Sequence, residues 1–129
     1  MIHHVSLGTN DVKRARSFYD RVLGVLGLRL LKEDEKSLDY GVGAIMFSLE
    51  TPVDGKTASS GNGVHVAFVA QGPEMVEEFY RVALENGGSD DGAPGLRPEY
   101  NAHYYGAFVR DPDGNKIEAV THSARPNKS

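Results

Sequence analysis

Apolar residues along the chain follow a strand-like period and then a helix-like period, and this order occurs twice. Near the start, Val5 and Leu7 alternate with Ser6 and Gly8, which is typical of a strand with one buried face. Over residues 12–26, apolar side chains then recur at steps of three and four, which predicts an amphipathic helix. Further extended segments are predicted at residues 29–33, 38–42 and 44–50. The first half of the chain therefore has the order β-α-β-β-β.

The second half repeats the first in sequence as well as in pattern. His4-Val5 matches His65-Val66 at a shift of 61 residues (65 minus 4). The same shift matches three further pairs: Phe18-Tyr19 with Phe79-Tyr80, Leu23 with Leu84, and Gly27 with Gly88. A repeated unit that cannot bury its hydrophobic face alone must pack against its copy, so the repeat bears directly on the fold.

The second copy contains the same predicted elements, with a longer polar segment inserted. A strand is predicted over residues 64–69, and Pro73 opens a helix at a position where its missing N–H costs nothing. Residues 90–103 are polar and include two prolines, so we expect a mobile or substrate-contacting loop there. The copy closes with a predicted hairpin of residues 104–110 and 116–121 joined by the Asp-Pro-Asp-Gly-Asn turn.

These elements predict an α+β fold built from two βαβββ modules. The whole chain of 129 residues is expected to be a single domain. Its parts are a first module at residues 2–50, a linker at 51–63, a second module at 64–122 and a flexible tail at 123–129.

Composition removes several classes of function. The 14 basic residues are scattered among 18 acidic ones and the net charge is −4, so a nucleic-acid partner is not expected. The absence of cysteine excludes disulfides, thiolate nucleophiles and cysteine-based metal sites. No apolar stretch is long enough to span a membrane and no signal sequence is apparent, so we expect a soluble, cytoplasmic protein with no membrane partner.

Strand parity places three potential metal ligands on one face. If Val5 and Val66 lie beneath their helices, then His4 and His65 project from the opposite, helix-free face of each module. On the last strand, Glu118 alternates with apolar neighbours and projects to the same face. Two imidazoles and one carboxylate form a plausible site for a first-row divalent metal, although each residue alone is more often structural or solvated.

The sequence resembles the vicinal oxygen chelate superfamily, which includes glyoxalase I, fosfomycin resistance proteins, extradiol dioxygenases and bleomycin resistance proteins. The resemblance covers about residues 2–122. Its most specific part is the Asp-Pro-Asp-Gly-Asn-x-Ile-Glu segment that ends at Glu118. It implies a glyoxalase-like fold, in which the two βαβββ modules form a curled mixed sheet around a cleft. It also implies a small-molecule substrate and a homodimer in which the cleft is shared between chains.

The resemblance makes His4, His65 and Glu118 ligands of a divalent ion, which could be nickel, zinc, manganese or iron. Glyoxalase I has a fourth ligand, a carboxylate on the last strand of the first module. Aligning residues 45–49 with 116–120 puts Phe47 at that position, and phenylalanine cannot bind metal. Glu50 could replace the carboxylate only if a bulge re-aimed its side chain.

The long loop and the strand after it supply further candidates. Glu118, His103 and Tyr105 are the expected catalytic residues, because an imidazole or phenol could act as a general acid or base in place of the missing carboxylate. The expected substrate-binding residues are Phe47, Arg97, Tyr100 and Tyr104. The alternative is that the tyrosines pack at the rim of the cleft and that His103 is solvated. For His122, close to the chain end, a structural or solvent role is favoured.

Two hypotheses of different kinds remain open. The first is a glyoxalase-like, metal-dependent enzyme of lyase or isomerase type that acts on a small substrate chelated through adjacent oxygens. The second is a metal-free protein that sequesters a ligand, as bleomycin resistance proteins do; a transferase similar to fosfomycin resistance proteins is a further alternative. Aromatic residues such as Phe47 favour sequestration, whereas the three candidate ligands favour the enzyme.

Overall fold

A computed structural model describes residues 1–124 of the chain. Most of the tail predicted at residues 123–129 lies outside the described part. The elements are β1 (Val5–Gly8), α1 (Val12–Val25), β2 (Arg29–Glu33), β3 (Ser37–Gly41), β4 (Ile45–Glu50), β5 (His65–Val69), α2 (Pro73–Glu85), β6 (Ser89–Leu96), β7 (Tyr105–Arg110) and β8 (Lys116–Thr121).

The strands form two four-stranded mixed sheets, one in each module. The first has the order β1-β4-β3-β2 and the second the order β5-β8-β7-β6, with the first and last strands of each module pairing in parallel. Each module is therefore a βαβββ unit, and the predicted α+β fold is confirmed. None of the helices within residues 1–124 has the length and apolar character needed to cross a membrane.

The segment expected to be a loop at residues 90–103 is in large part a strand. β6 pairs with β7 at the edge of its sheet, with register shifts at Asp90/Gly92 and again before Gly95. Glycine, proline and aspartate are depleted in strands, so this sequence does not look extended. An edge strand with bulges tolerates them, because one side of its backbone needs no partner.

The two modules share one apolar core on the helix-bearing faces of their sheets. The Tyr19 ring of α1 lies 5.3 Å from that of Phe47 on β4, which lies 5.0 Å from that of Phe68 on β5. A Cβ built on Gly88 would lie 2.8 Å from the Phe18 ring, so glycine permits close approach of α1 to the second module. Burying these rings stabilises both modules together.

Polar contacts also join the modules, and all of them involve the turn before β8. Asp111 accepts a hydrogen bond from the Tyr19 hydroxyl at 2.6 Å, and Asn115 donates to the Gly8 carbonyl at 2.9 Å. Asp113 accepts from Thr9 at 2.6 Å and from Arg14 at 2.7 Å. The most specific segment of the sequence therefore fixes how one module sits on the other.

Candidate metal-binding and catalytic site

The helix-free face of the second module brings His65 and Glu118 together. β5 and β8 pair in register, with His65 opposite Lys116 and Ala67 opposite Glu118, so both side chains project from one face. His65 Nε2 lies 3.2 Å from Glu118 Oε1. The Glu118 side chain is only 1% exposed, whereas that of His65 is 44% exposed. A buried carboxylate next to an accessible imidazole is a favourable arrangement for binding a cation.

The spacing of these two donor atoms suits a common divalent ion. Nitrogen and oxygen ligands lie about 2.0–2.2 Å from zinc, so neighbouring donors on one ion are roughly 3.0–3.4 Å apart in tetrahedral or octahedral geometry. The observed 3.2 Å falls within that range. His65 and Glu118 therefore fit as two ligands of such an ion.

Tyr104 holds the other oxygen of the same carboxylate. Its hydroxyl donates to Glu118 Oε2. Burial, and to a smaller extent this hydrogen bond, raises the pKa of Tyr104 above its usual value. A Cβ built on Gly106 would lie 2.9 Å from Glu118 Oε2 and 3.3 Å from the Tyr104 ring. Glycine at 106 therefore leaves the space in which the phenol and the carboxylate meet.

The third expected ligand, His4, is not part of this group within one chain. It is exposed and precedes β1, and its Nδ1 lies 2.9 Å from that of His3. Within residues 1–124 no three histidine or acidic side chains are arranged to hold a metal ion. One chain thus provides two of the expected ligands at one place and the third elsewhere.

The first module carries a serine, not Phe47, at the position equivalent to Glu118. Phe47 pairs with Val5 and Ser48 with Ser6, whereas in the second module Glu118 pairs with Ala67. Since Ser6 and Ala67 correspond in the repeat, Ser48 corresponds to Glu118, and the alignment that chose Phe47 is wrong by one residue. Phe47 is 1% exposed, on the helix-bearing face. It therefore packs in the core and does not form an apolar wall of the cleft.

Ser48 is paired with a carboxylate that the sequence did not single out. Its hydroxyl donates to Asp39 Oδ1 at 2.6 Å, from the neighbouring strand β3. Glu50 is two residues after Ser48 and therefore projects from the same face without any bulge. It pairs with Gly8 at the far end of β1. The first module therefore carries, at the position equivalent to Glu118, a hydroxyl with a carboxylate beside it.

Tyr105 lies on the wrong face for the catalytic role expected of it. It projects to the face opposite that of Gly106, which lies beside Glu118, and its hydroxyl donates to Glu77 of α2 at 2.7 Å. Burial and this bond raise the pKa of Tyr105 to about 12. Because Tyr104 reaches Glu118 while Tyr105 reaches the helix, strand parity separates two adjacent tyrosines.

The remaining candidates surround Tyr104 to different degrees. The rings of Tyr100 and Tyr104 are 5.0 Å apart at their centroids, and His122 lies 5.2 Å from Tyr104 on another side. His103 is hydrogen-bonded through Nδ1 to the carbonyl of Ala124, after β8, at 2.8 Å, and not to Glu118. His122, for which a structural or solvent role was favoured, therefore lies against the Tyr104 ring, whereas the side-chain hydrogen bond of His103 runs to Ala124.

Comparison with known proteins gives consistent results over almost the whole chain. The model of the Glyoxalase/Bleomycin resistance protein/Dioxygenase superfamily matches residues 1–119. A glyoxalase/bleomycin resistance protein from Albidiferax ferrireducens T118 is 38% identical, with a TM-score of 0.84 over 93% of this chain and 97% of that one. None of the curated proteins gives a significant match.

More distant structures share the fold. A lactoylglutathione lyase from Agrobacterium tumefaciens is 21% identical, with a TM-score of 0.67 over 93% of this chain and 92% of that one. A glyoxalase-related enzyme from Fulvimarina pelagi is 16% identical, with a TM-score of 0.76 over 93% of this chain and 86% of that one. At these identities the likeness establishes the architecture alone.

Proposed function

Because the chain belongs to the Glyoxalase/Bleomycin resistance protein/Dioxygenase superfamily, we propose that it is a metal-dependent enzyme of lyase or isomerase type. Its substrate is a small molecule that chelates a divalent ion through adjacent oxygens. The observation that supports this most is the buried Glu118 carboxylate, held 3.2 Å from the accessible nitrogen of His65 on the helix-free face.

The site is completed by a second copy of the chain, with His4 of the partner subunit as the third ligand. Within residues 1–124, β1 and β5 each lie at the edge of a sheet with one side unpaired. Large apolar side chains on or beside these faces are exposed: Ile2 by 79%, Met46 by 45% and Val69 by 80%. Unpaired edges and exposed apolar residues are features that association of two copies would cover.

The chain's own residues divide the chemical work. When bound, a divalent ion stabilises negative charge that develops on a coordinated substrate oxygen. Glu118 and His65 would hold the ion, and the Tyr104 hydroxyl fixes the Glu118 carboxylate through a hydrogen bond. Asp39, which accepts a hydrogen bond from the Ser48 hydroxyl at 2.6 Å, is a second carboxylate that could take up a substrate proton on the first module's face.

Metal binding by tag-free protein tests this proposal. Protein stripped with a chelator and reloaded should take up about one divalent ion per chain and gain melting temperature. His65→Ala should lose that gain while remaining folded, whereas Arg81→Ala, on the exposed surface of α2, should keep it. Failure of nickel, zinc, manganese and iron all to raise the melting temperature would overturn the proposal.

Hemithioacetal turnover tests the reaction type. Since Ser48 stands where a ligand carboxylate would be needed, turnover of a glutathione hemithioacetal should be weak or absent. Robust turnover would contradict this prediction and would show that another carboxylate on this face, such as Asp39 or Glu50, replaces the missing one.

A metal-free ligand-binding protein is the second candidate, and one observation favours it. Tyr100, Tyr104 and His122 form a contiguous aromatic group, and Tyr100 is 61% exposed. Such a group could stack against an aromatic ligand without a metal. Tight binding of an aromatic ligand that is unchanged by chelator and by Glu118→Gln would favour this function over catalysis.

A further inference from the structure

Two positive charges lie over one aromatic ring beside the candidate site. Lys116 Nζ is 4.9 Å, and the Arg97 guanidinium carbon 5.6 Å, from the centroid of Phe108. Phe108 is the cross-strand partner of Glu118, and its ring lies 6.1 Å from that of His65. Phe108 therefore stands on the same face as the candidate ligands, about one strand spacing of 4.8 Å from β8. Lys116 precedes Glu118 by two residues on β8, and Arg97 follows β6, which is two strands away.

Glycines leave the space that Arg97 occupies. A Cβ built on Gly95 would lie 3.0 Å from one terminal nitrogen of Arg97, and one on Gly92 would lie 3.5 Å from the other and 2.9 Å from the Phe108 ring. Any larger residue at Gly95 would push against the guanidinium. Because β6 has no side chains at these two points, the Arg97 side chain lies close to the strand on the site's face.

Arg97 differs from the other cations on this face because it has no carboxylate partner among the described residues. Asp91 pairs with Arg110 at 3.0 Å and with Lys116 at 3.6 Å. The Arg97 guanidinium instead donates to the carbonyls of Ala93, at 2.7 Å, and Leu96, at 3.4 Å. These bonds orient the guanidinium without neutralising it, so its charge remains available.

From this arrangement we propose that the substrate is a small organic acid whose anionic group binds Arg97, with Lys116 contributing. This inference rests on the proposed function, since the acid's adjacent oxygens are those that the ion at His65 and Glu118 would chelate. Three cations, at Arg97, Arg110 and Lys116, face two carboxylates, at Asp91 and Glu118, so this face favours an anion although the whole chain has a charge of −4. The Phe108 ring lies 5.6 Å from the Arg97 guanidinium carbon and 6.1 Å from the His65 ring, so the guanidinium and the candidate ligand are at most about 12 Å apart and a small acid can reach both.

A matched pair of probes tests the inference. Succinic monohydroxamate carries a metal-chelating group at one end and a carboxylate at the other, and its amide analogue replaces that carboxylate by an uncharged carboxamide. Binding of both is measured by calorimetry to zinc-loaded and to metal-free protein. The acid should bind at least about tenfold more tightly than the amide, because a charge-assisted bond to arginine is roughly twice as strong as a neutral one.

Variants assign that preference to particular side chains. Arg97→Met should reduce the ratio of the two affinities to about one, and Lys116→Met should reduce it by a smaller factor. If one of these variants fails to fold, the other still tests the inference. Arg81→Met removes one positive charge from the exposed surface of α2, where Arg81 pairs with Glu78 and Glu85, and should leave the ratio unchanged.

The outcomes separate this inference from the proposed function. Zinc-dependent binding of both probes without preference for the acid overturns the inference and leaves the metal site standing. A preference for the acid that is abolished by Arg97→Met but unaffected by zinc supports the anion site and contradicts the metal enzyme. A preference that survives Arg97→Met, or no binding of either probe, overturns the inference.

Discussion

The helix-free faces of the two modules have diverged much further than their helix-bearing faces. At the position where the second module places Glu118 beside His65 and Tyr104, the first module places Ser48 beside Asp39. On the helix-bearing faces, both copies bury the phenylalanine of the repeated Phe-Tyr pair, Phe18 and Phe79. The repeat therefore preserves packing, while the chemistry is concentrated on one face of one copy.

This contrast shows that the modules are not interchangeable halves of a site. The second module presents two candidate ligands, His65 and Glu118, with the Tyr104 phenol bonded to the carboxylate. The first module presents the exposed imidazole of His4 and the hydroxyl–carboxylate pair of Ser48 and Asp39. A site built from one face of each kind would need both modules, and within residues 1–124 no three histidine or acidic side chains of one chain converge. The predictions below either remove or transplant what distinguishes the two faces.

Exchanging equivalent residues in the two modules should have very unequal effects on metal affinity. Glu118→Gln removes a charged ligand, so affinity should fall by more than the roughly 10–100-fold typical of losing a residue that merely supports a ligand. Ser48→Ala, at the equivalent position, should change it by less than about threefold. Competition with a chromophoric chelator measures both, and equal effects of the two substitutions would remove the asymmetry.

The repeated tyrosines should differ in their contribution to stability. Tyr19 is fully buried and donates to Asp111 at 2.6 Å, whereas its equivalent Tyr80 bonds Asp90 at 3.0 Å on the surface. Tyr19→Phe leaves Asp111 short of a donor and should lower the free energy of unfolding by about 1–2 kcal/mol. Tyr80→Phe should lower it by less than about 0.5 kcal/mol in the same urea titration.

The same variant should alter alkaline denaturation. Burial, with Asp111 beside it, raises the pKa of Tyr19 well above its usual value. In the unfolded chain the phenol ionises near pH 10. The contribution of the protonated Tyr19 to the free energy of unfolding is therefore complete below about pH 10 and is lost as the pH rises above it. Above that pH, wild type should lose up to about 1.4 kcal/mol per pH unit more than Tyr19→Phe. Parallel pH profiles of the two proteins would contradict this.

Transplanting the carboxylate should strengthen metal binding. Ser48→Glu places a carboxylate at the position equivalent to Glu118, where it could act as a fourth ligand and raise affinity by about 10-fold. Without metal the new carboxylate replaces the Ser48 hydroxyl that donates to Asp39 and repels that carboxylate, so the stripped variant should melt at a lower temperature than wild type. Ser48→Gln, of equal size but uncharged, controls for bulk, and a similar gain in that variant would argue against coordination.

Adjacent tyrosines on opposite faces should give the smallest difference. Tyr104→Phe removes the donor to Glu118 Oε2 and should weaken metal binding by about tenfold, the lower end of the range for a residue that supports a ligand without being one. Tyr105→Phe loses only a bond to Glu77 on the other face and should leave metal affinity unchanged. An equal loss in both variants would mean that the effect is on folding.

Periodicity and the repeat predicted the helices and the face that carries His65 and Glu118, because both features are encoded locally. The register of β4 is encoded less plainly. Residues 45–47 are all apolar, so alternation does not reveal which of them is buried, and the pairing of Val5 with Phe47 across the sheet decides it. Leu49, buried and paired with Leu7, is the signal that would have placed Phe47 in the core.

Parity could have separated Tyr104 from Tyr105. Tyr105 lies on the same face of β7 as Ala107 and Val109, which are fully buried under α2. Its direction therefore follows from the same rule that placed Glu118. The partners of Asp39 and Arg97 could not be read from the sequence. They depend on cross-strand neighbours and, at Arg97, on a bulged edge strand whose composition resembles a loop.

Co-expression of two inactive variants tests the shared site most directly. In a dimer that combines His4→Gln with Glu118→Gln chains, one site receives all its native ligands, so random assortment should restore metal binding to about a quarter of the wild-type sites. His65→Gln combined with Glu118→Gln should restore none, because both residues belong to the same half-site. Equal metal content in the two mixtures, or none in either, would contradict a site shared between chains.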